Sequence, residues 1–234
     1  MRHLPGEPRC KMCAAPFGVP GALLLRFTGR KRWAKNPTYC GMCFDILSRF
    51  HGGAEIESSY LFADVRGSTS LAERISPTEF RSLLDRFYDT AARVLVDHDA
   101  IDDKFVGDEV VAIFIPALAH DAHAARAIEA GLALLRATGH GEPGGPWLPI
   151  GIGVHTGIAF LGAVGEPPVT ELTALGDVVN TAARLASAAA AGELLVSEAA
   201  ATSSGRDVRD RERRDLELKG KATTTTVYVE RASP

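Results

Sequence analysis

YLFADVRGST, residues 60–69, is an apolar run that ends at Asp64 and turns at once through Gly67. Four successive apolar side chains of this kind predict a strand inside a sheet. An unpaired carboxylate is costly in that setting, so something at the end of the strand must offset the cost of Asp64. A metal ion bound there is the obvious candidate.

Composition and hydropathy favour a folded protein outside the membrane. The chain has 234 residues, of which 46% are apolar and 24% charged, as in globular proteins. No run approaches the roughly 18–20 apolar residues of a membrane span. Pro5, Glu7 and Pro8 stand where a signal peptide needs an apolar core. We therefore expect a soluble, cytoplasmic protein without membrane contact.

The net charge of −3 is distributed unevenly. Residues 1–53 carry nine Lys or Arg and two Asp or Glu, a net +7, whereas the remainder carries 17 and 27, a net −10. The composition changes near Gly52 and Gly53, and all four cysteines precede that point. The sequence thus predicts a small basic module, 1–53, and a larger domain, 54–234.

The cysteines form two C-x-x-C pairs, Cys10 with Cys13 and Cys40 with Cys43, separated by 26 residues. Zinc prefers four tetrahedral thiolates, and a segment with so few large apolar side chains needs such a staple to fold. The pattern favours structural zinc over an iron–sulfur or redox site. Two disulfides or reduced structural thiols are further alternatives, although a cytoplasmic setting disfavours disulfides.

Basic residues around Trp33 raise the question of nucleic acid as a partner. They are Arg26, Arg30, Lys31, Arg32 and Lys35. A charge run of this kind is more often solvated or in contact with an acidic partner. Nucleic acid is therefore the less favoured partner.

The larger domain alternates strand and helix signals. Ser76 followed by Pro77 and Glu79 predicts a helix start with a capping box. Gly107 separates two short predicted strands as a hairpin turn. The run LPIGIGVHTGIAFLGAVG, residues 148–165, predicts a second hairpin. The other predicted elements are a strand at 56–64, helices at about 120–137 and 177–190, a strand at 193–197, a short helix, and strands near 214–218 and 226–230. This β-α-β-β-α-β order predicts a ferredoxin-like α+β core with a C-terminal extension.

Two carboxylates meet at one edge of that predicted sheet. Asp64 ends the first strand and Asp108 lies in the tip of the hairpin, which we expect to run antiparallel beside it. Paired carboxylates suit hard cations such as Mg²⁺ or Mn²⁺. The exposed N–H groups expected in Gly67-Ser68-Thr69 suit phosphate oxygens. The sequence therefore predicts a metal ion bound to a polyphosphate.

Four motifs in order carry a family resemblance. They are LFADVRGST, KFVGDEVVAIF, GVHTG and ELTALGDVVNTAARL. Together they resemble the class III nucleotidyl cyclase catalytic domain over about residues 56–230, and most closely a bacterial adenylate cyclase. The resemblance implies conversion of ATP to 3′,5′-cyclic AMP and pyrophosphate for cyclic-nucleotide signalling, with two Mg²⁺ or Mn²⁺ ions per active site.

The resemblance also implies a role for individual residues. Asp64 and Asp108 match the metal-binding aspartates, with Val65 offering a backbone carbonyl. Asn180 and Arg184, four apart on one helix face, match the pair that orients the ribose and stabilises the transition state. Lys219, in ELKGKA, matches the lysine that contacts the terminal phosphates.

Two further positions are implied to recognise the base. Lys104 matches the purine-selecting lysine, and Thr173 falls where many adenylate cyclases have Asp and others have Thr. A lysine facing N1 suits adenine and disfavours guanine, but a threonine both donates and accepts. ATP is therefore favoured over GTP, with guanylate cyclase activity as an alternative.

The same resemblance implies a homodimer, with the metal-binding aspartates from one subunit and the remaining site residues from the other. Two other classes of protein stay open. One is a catalytically silent nucleotide sensor whose cysteine module delivers the output. The other is a zinc-dependent nucleic-acid-binding protein with a cyclase-derived dimerisation domain.

Overall fold

The computed structural model describes residues 4–33, 37, 39–49, 53–164, 171–221 and 223–232. The chain divides into two units, the first comprising Met1–Ile56 with Phe160–Leu175 and the second Glu57–Ala159 with Gly176–Pro234. The division of the chain into two independent domains at residue 53 stays a prediction. In the described ranges, no helix has the length and apolar character needed to cross a membrane.

The described strands belong to one sheet, in a mixed α+β architecture. They are β1 (Gly53–Val65), β2 (Asp102–Val106), β3 (Glu109–Phe114), β4 (Ile150–Val164), β5 (Glu171–Leu175), β6 (Glu193–Ser197), β7 (Glu212–Leu216) and β8 (Thr225–Arg231).

The described helices range from one to six turns, with one additional 3₁₀ turn at His120–Ala122. They are α1 (Gly21–Leu25), α2 (Gly41–Arg49), α3 (Ser68–Arg74), α4 (Pro77–Asp97), α5 (Pro116–Ala119), α6 (His123–Ala137), α7 (Asp177–Ala188) and α8 (Glu198–Ser204).

The strand order is β2-β3-β1-β4-β6-β8-β7, with β5 paired to β4. The first four strands of this path have the predicted ferredoxin-like arrangement, and β3 is antiparallel to β1 as expected. The predicted capping box is confirmed: the Ser76 hydroxyl accepts a hydrogen bond from the Glu79 amide, and the Glu79 carboxylate accepts one from the Ser76 amide. These features bring the end of β1 beside the β2–β3 turn.

The sheet of the second unit has an apolar cluster on each face. The larger cluster packs α4, α6 and α8 against one face, and includes Leu61, Phe87, Val110, Ile128, Ile152 and Leu194. The smaller cluster packs α7 against the other face, and includes Leu185, Ala189, Leu195, Leu218, Val227 and Val229. Alternation along β6 explains the division, since Leu194 and Leu195 point to opposite faces.

The hairpin predicted for LPIGIGVHTGIAFLGAVG is wrong, because these residues form the single strand β4, whose antiparallel partner is β5. The glycines that suggested turns serve close packing instead. A Cβ at Gly153 would lie 2.3 Å from the backbone nitrogen of Ala186, and a Cβ at Gly157 would lie 2.4 Å from Val178 Cγ1. Glycine in β4 therefore lets α7 lie directly on the sheet.

An ion-pair network joins β6 to β7 and β8. Glu193 is only 5% exposed. Arg214 donates to both of its carboxylate oxygens at 2.8 and 2.7 Å, and Arg231 donates to one at 2.6 Å. The hydrogen bonds from Arg214, with further help from the Ala190 amide and Arg231, lower the pKa of Glu193 to about 2.

We predict that Glu193→Gln lowers the free energy of unfolding by about 3 kcal/mol at neutral pH, because two arginines lose their carboxylate partner. The carboxylate's contribution is fully present above the unfolded pKa of 4.5 and is lost as the pH falls towards the folded value of about 2. The difference between variant and wild type, measured by urea unfolding, should narrow on acidification below about pH 4.5. A gap independent of pH would contradict this, and the exposed control Glu212→Gln should cost much less than Glu193→Gln.

We also predict that Gly153→Ala destabilises the protein by about 3 kcal/mol, because the new methyl group forces α7 away from β4. Gly144→Ala is the matched control, since a Cβ there meets nothing within 4 Å. Urea unfolding of both variants measures the difference. Equal stabilities would show that α7 does not depend on this close approach.

Candidate active site

The register of β1 against β3 brings three carboxylates together. Asp64 lies opposite Glu109 in the ladder, and the Val65 amide donates to the Asp108 carbonyl at 3.3 Å. Gly107 closes the β2–β3 turn with a φ of +64°, a conformation that favours glycine. The Tyr88 hydroxyl, from α4, donates to the Gly107 carbonyl and holds the turn in place. The two predicted metal ligands thus meet at the end of β1.

The three carboxylates, Asp64, Asp108 and Glu109, line an open pocket of about 410 Å³. The pocket also contains Val65, Arg66 and the predicted phosphate-contacting residues Gly67, Ser68 and Thr69. Gly67 adopts a φ of +71° before α3, and no side chain caps the first amides of that helix. The pocket therefore combines carboxylate oxygens with backbone N–H groups, the two features expected of a metal–polyphosphate site.

Burial and neighbouring charges raise the pKa of two of these carboxylates, Asp64 and Glu109. Burial, and to a smaller extent the charges of Asp64 and Asp108, raise the pKa of Glu109 to about 7. Burial also raises the pKa of Asp64, with a further contribution from Asp108, against the opposing effect of Arg66. Half-buried negative charges this close favour a bound cation.

The oxygen donors of this pocket fit Mg²⁺ or Mn²⁺, which prefer carboxylate and carbonyl ligands. Asp64, Asp108 and the Val65 carbonyl are the residues that would hold such ions. Glu109 was missed by the sequence analysis, although its position directly after Asp108 and opposite Asp64 is a usable signal. Arg66 was also missed, and it forms an ion pair with Asp64 Oδ2.

A second surface of the same unit is built on α7. Asn180 is exposed and Arg184, one turn later, is partly buried. The turn that follows Leu218 approaches this helix so closely that a Cβ at Gly220 would lie 3.4 Å from Arg184 Nη2. Lys219 is exposed in the same turn, beside a pocket of about 430 Å³. Three predicted site residues are therefore carried by α7 and one adjoining turn.

An ion pair fastens that turn to the helix. Lys221 binds the carboxylate of Asp177 in the first turn of α7, and lowers the pKa of that carboxylate. His155, on β4, shares a 2.7 Å hydrogen bond with the Ser197 hydroxyl, and burial lowers its pKa to about 4. A neutral His155 adds no repulsion to Lys221. The Asp177–Lys221 pair was not predicted, because its members are 44 residues apart in sequence.

The predicted base-recognising residues are less fully described. The Lys104 backbone lies in β2 opposite Val111, but its side chain lies outside the described part of the structure. Thr173 is partly exposed in β5, opposite Gly162, and belongs to the first unit. The roles of both residues stay predictions.

The four cysteines of the first unit cluster as free thiols, with all Sγ atoms within 4.8 Å of one another. Cys10 and Cys43 Sγ are 4.0 Å apart, and Cys13 and Cys40 Sγ are 3.7 Å apart. Sulfurs bound to one tetrahedral zinc ion at about 2.3 Å are separated by about 3.8 Å. The cluster therefore fits a single metal ion.

Two contacts orient these sulfurs. The Cys40 amide donates to Cys10 Sγ at 3.3 Å, and Arg30 Nη1 donates to Cys13 Sγ at 3.2 Å. Burial alone would raise the pKa of Cys13, but hydrogen bonds from the Ala15 amide and the neighbouring thiols lower it to about 7. Cys13 is therefore the thiol that is readily available as the thiolate a metal requires, whereas burial raises the pKa of Cys40 and Cys43.

Comparison with known proteins identifies a family match. A family model described as the adenylate and guanylate cyclase catalytic domain matches residues 55–231. Adenylate cyclase 1 of Rhizobium meliloti is 34% identical over 134 residues, which are 55% of this chain and 20% of that protein. The adenylate cyclase of Anabaena cylindrica is 32% identical over 129 residues, 53% of this chain and 26% of that protein. The chain spans about a quarter or less of these relatives' length.

Solved structures with a similar fold cover more of the chain. The guanylyl cyclase Cya2 has a TM-score of 0.69 at 26% identity, covering 78% of this chain and 95% of that one. The adenylyl cyclase CyaB from P. aeruginosa has a TM-score of 0.66 at 27% identity, covering 78% of this chain and 97% of that one.

Proposed function

The chain belongs to the adenylate and guanylate cyclase catalytic-domain family, and from that premise we propose that it converts ATP to 3′,5′-cyclic AMP and pyrophosphate for cyclic-nucleotide signalling. The observation that carries the proposal is the meeting of Asp64 and Asp108 in one pocket with the N–H groups of residues 67–69. That pocket suits a metal–triphosphate group. The predicted cytoplasmic location agrees with ATP as the substrate.

Asp64, Asp108 and the Val65 carbonyl would hold two Mg²⁺ or Mn²⁺ ions. Such ions lower the pKa of the attacking ribose hydroxyl and neutralise the leaving phosphates. The backbone amides of residues 67–69 lie in the same pocket as the carboxylates. They would position the triphosphate by donating hydrogen bonds to its oxygens. This half of the site would therefore hold the α-phosphorus in position for in-line attack by the ribose hydroxyl.

The α7 surface supplies the second half. The Asn180 amide would hold the ribose, while the Arg184 guanidinium would meet the charge that develops at the α-phosphorus. Lys219 would bind the terminal phosphates. The turn at Gly220 lies close to the Arg184 guanidinium, and the Asp177–Lys221 pair fastens the turn that carries Lys219. These residues then need little rearrangement during the reaction.

A homodimer would join the two halves. The carboxylate pocket and the pocket beside Lys219 share no lining residue. A twofold dimer in which each chain offers its carboxylate pocket to the partner's α7 would contain two equivalent sites. Lys104 and Thr173 would then recognise adenine, with Lys104 facing N1 and Thr173 facing N6.

We further propose that the cysteine cluster binds one structural zinc ion. The sulfur separations of 3.7 and 4.0 Å support a tetrahedral site, as do the N–H donors to two of the sulfurs. Zinc there would stabilise a segment with little apolar core of its own.

Product formation from ATP or GTP, with Mg²⁺ or Mn²⁺, tests the proposed activity. We expect cyclic AMP in excess of cyclic GMP. Asp108→Ala should lower turnover at least about a thousandfold, because a metal ligand is lost. Arg184→Ala should lower turnover at least about a hundredfold, because the guanidinium that meets the charge at the α-phosphorus is lost. Exposed Asp85→Ala is the control for the first variant and should retain activity.

Co-expression of the two inactive variants tests the shared site. A heterodimer of Asp108→Ala with Arg184→Ala contains one site with both defects and one intact site, so random pairing should restore about a quarter of wild-type activity. No recovery from heterodimers would place each complete site within one chain. ATP binding without any cyclic product from the wild-type protein would instead favour the nucleotide sensor.

Metal analysis tests the cysteine site. We expect about one zinc per chain, and Cys40→Ser should lose most of that zinc and lower the thermal midpoint, since three thiolates bind more weakly than four. Met12→Ala, an exposed change beside the ligands, should retain the metal. Iron with visible absorbance would identify an iron–sulfur cluster in its place.

A further inference from the structure

Arg66 contacts two functional elements at once. Its Nη2 forms an ion pair with Asp64 Oδ2, and its Nε donates to the Asp64 carbonyl at 3.3 Å. Its Nη1 donates to the carbonyl oxygens of Ser187 at 2.9 Å and Ala189 at 3.3 Å. One guanidinium therefore bridges a predicted metal ligand and the C-terminal end of α7.

On the pocket side, Arg66 competes with a metal ion. The Asp64 and Arg66 side chains are only 23% and 22% exposed, so the pair is partly shielded from water. A divalent ion on Asp64 competes for the charge of the same carboxylate, and two cations held that close repel each other. Metal binding must therefore release Nη2 from Asp64.

On the helix side, Arg66 supplies a missing charge. The last turn of α7 has no basic residue, and its final carbonyls are at the negative end of the helix dipole. Arg66 Nη1 meets that charge from a distant part of the sequence. The same helix carries Asn180 and Arg184, so the position of its end bears on the second half of the active site.

We propose that Arg66 is a positioning residue that neutralises Asp64 before metal binds and then transfers its charge to the end of α7. Release of Nη2 leaves the whole guanidinium available to the carbonyls of Ser187 and Ala189. Metal loading of the carboxylate pocket thereby steadies the helix that carries Asn180 and Arg184. This inference rests on the proposed metal site.

Binding of Mn²⁺ alone to the nucleotide-free, full-length protein tests the competition. Electron paramagnetic resonance counts free Mn²⁺ during the titration. We expect Arg66→Gln to bind Mn²⁺ about three- to tenfold more tightly than wild type, because the competing charge is gone. Arg74→Gln, an exposed change of the same charge at the end of α3, is the control and should shift the affinity less than about twofold.

Arg66→Lys separates charge from geometry. Its ammonium can pair with Asp64 but cannot also span the two carbonyls of α7 as a guanidinium does. We expect its Mn²⁺ affinity to stay within about twofold of wild type. This variant also keeps the inference testable if Arg66→Gln folds poorly.

Hydrogen exchange of the amides at 185–189 tests the transfer to α7. In wild type, Mn²⁺ should slow their exchange about three- to tenfold, whereas in Arg66→Gln and Arg66→Lys the exchange should not respond. If Arg66 only stabilised the packing of α7, its substitution would change the exchange rates, but Mn²⁺ would have the same effect on those rates with and without Arg66.

Two results would overturn the inference. One is Mn²⁺ affinity in Arg66→Gln equal to that in Arg74→Gln, and the other is an equal metal response of α7 with and without Arg66. If neither wild type nor Arg66→Gln bound Mn²⁺, and Asp64→Asn behaved identically, the proposed metal site itself would fail, and this inference with it. Tight Mn²⁺ binding that Asp64→Asn abolishes, without any effect of Arg66, would overturn the inference alone.

Discussion

The rest of the site depends on one constraint, the antiparallel register that sets Asp64 opposite Glu109 and beside Asp108. Three carboxylates in a half-buried pocket repel one another, and burial together with this repulsion raises the pKa of Asp64 and Glu109. A bound cation, as proposed, would offset that repulsion. Arg66 provides one positive charge from within the chain, and a divalent ion is the stronger replacement.

The second dependence is the packing of α7 against β4. Glycine at positions 153 and 157 removes the side chains that would hold the helix away from the sheet. The helix then lies close enough for the turn at Gly220 to pack against Arg184. Close packing of the main chain and the Asp177–Lys221 ion pair together hold this half of the proposed site.

Much of this architecture follows from local signals in the sequence. The capping box at Ser76 predicted the start of α4, and an apolar run ending in Asp64 predicted the central strand and its carboxylate edge. The glycines of β4 misled the prediction, because a glycine that permits a turn and one that admits a helix look alike in sequence. Only the position of α7 distinguishes them.

The sequence by itself determined most strands and the longer helices of the larger domain, the carboxylate pair, the cysteine pairs and the motifs that identify the family, because each is encoded in neighbouring residues. The tertiary structure alone decided which distant polar groups meet. Arg66 reaches Ser187 across 121 positions of sequence, and Lys221 reaches Asp177 across 44. No local pattern specifies such partners, since a contact of this kind depends on where the folded backbone brings the two groups, and not on their spacing along the chain.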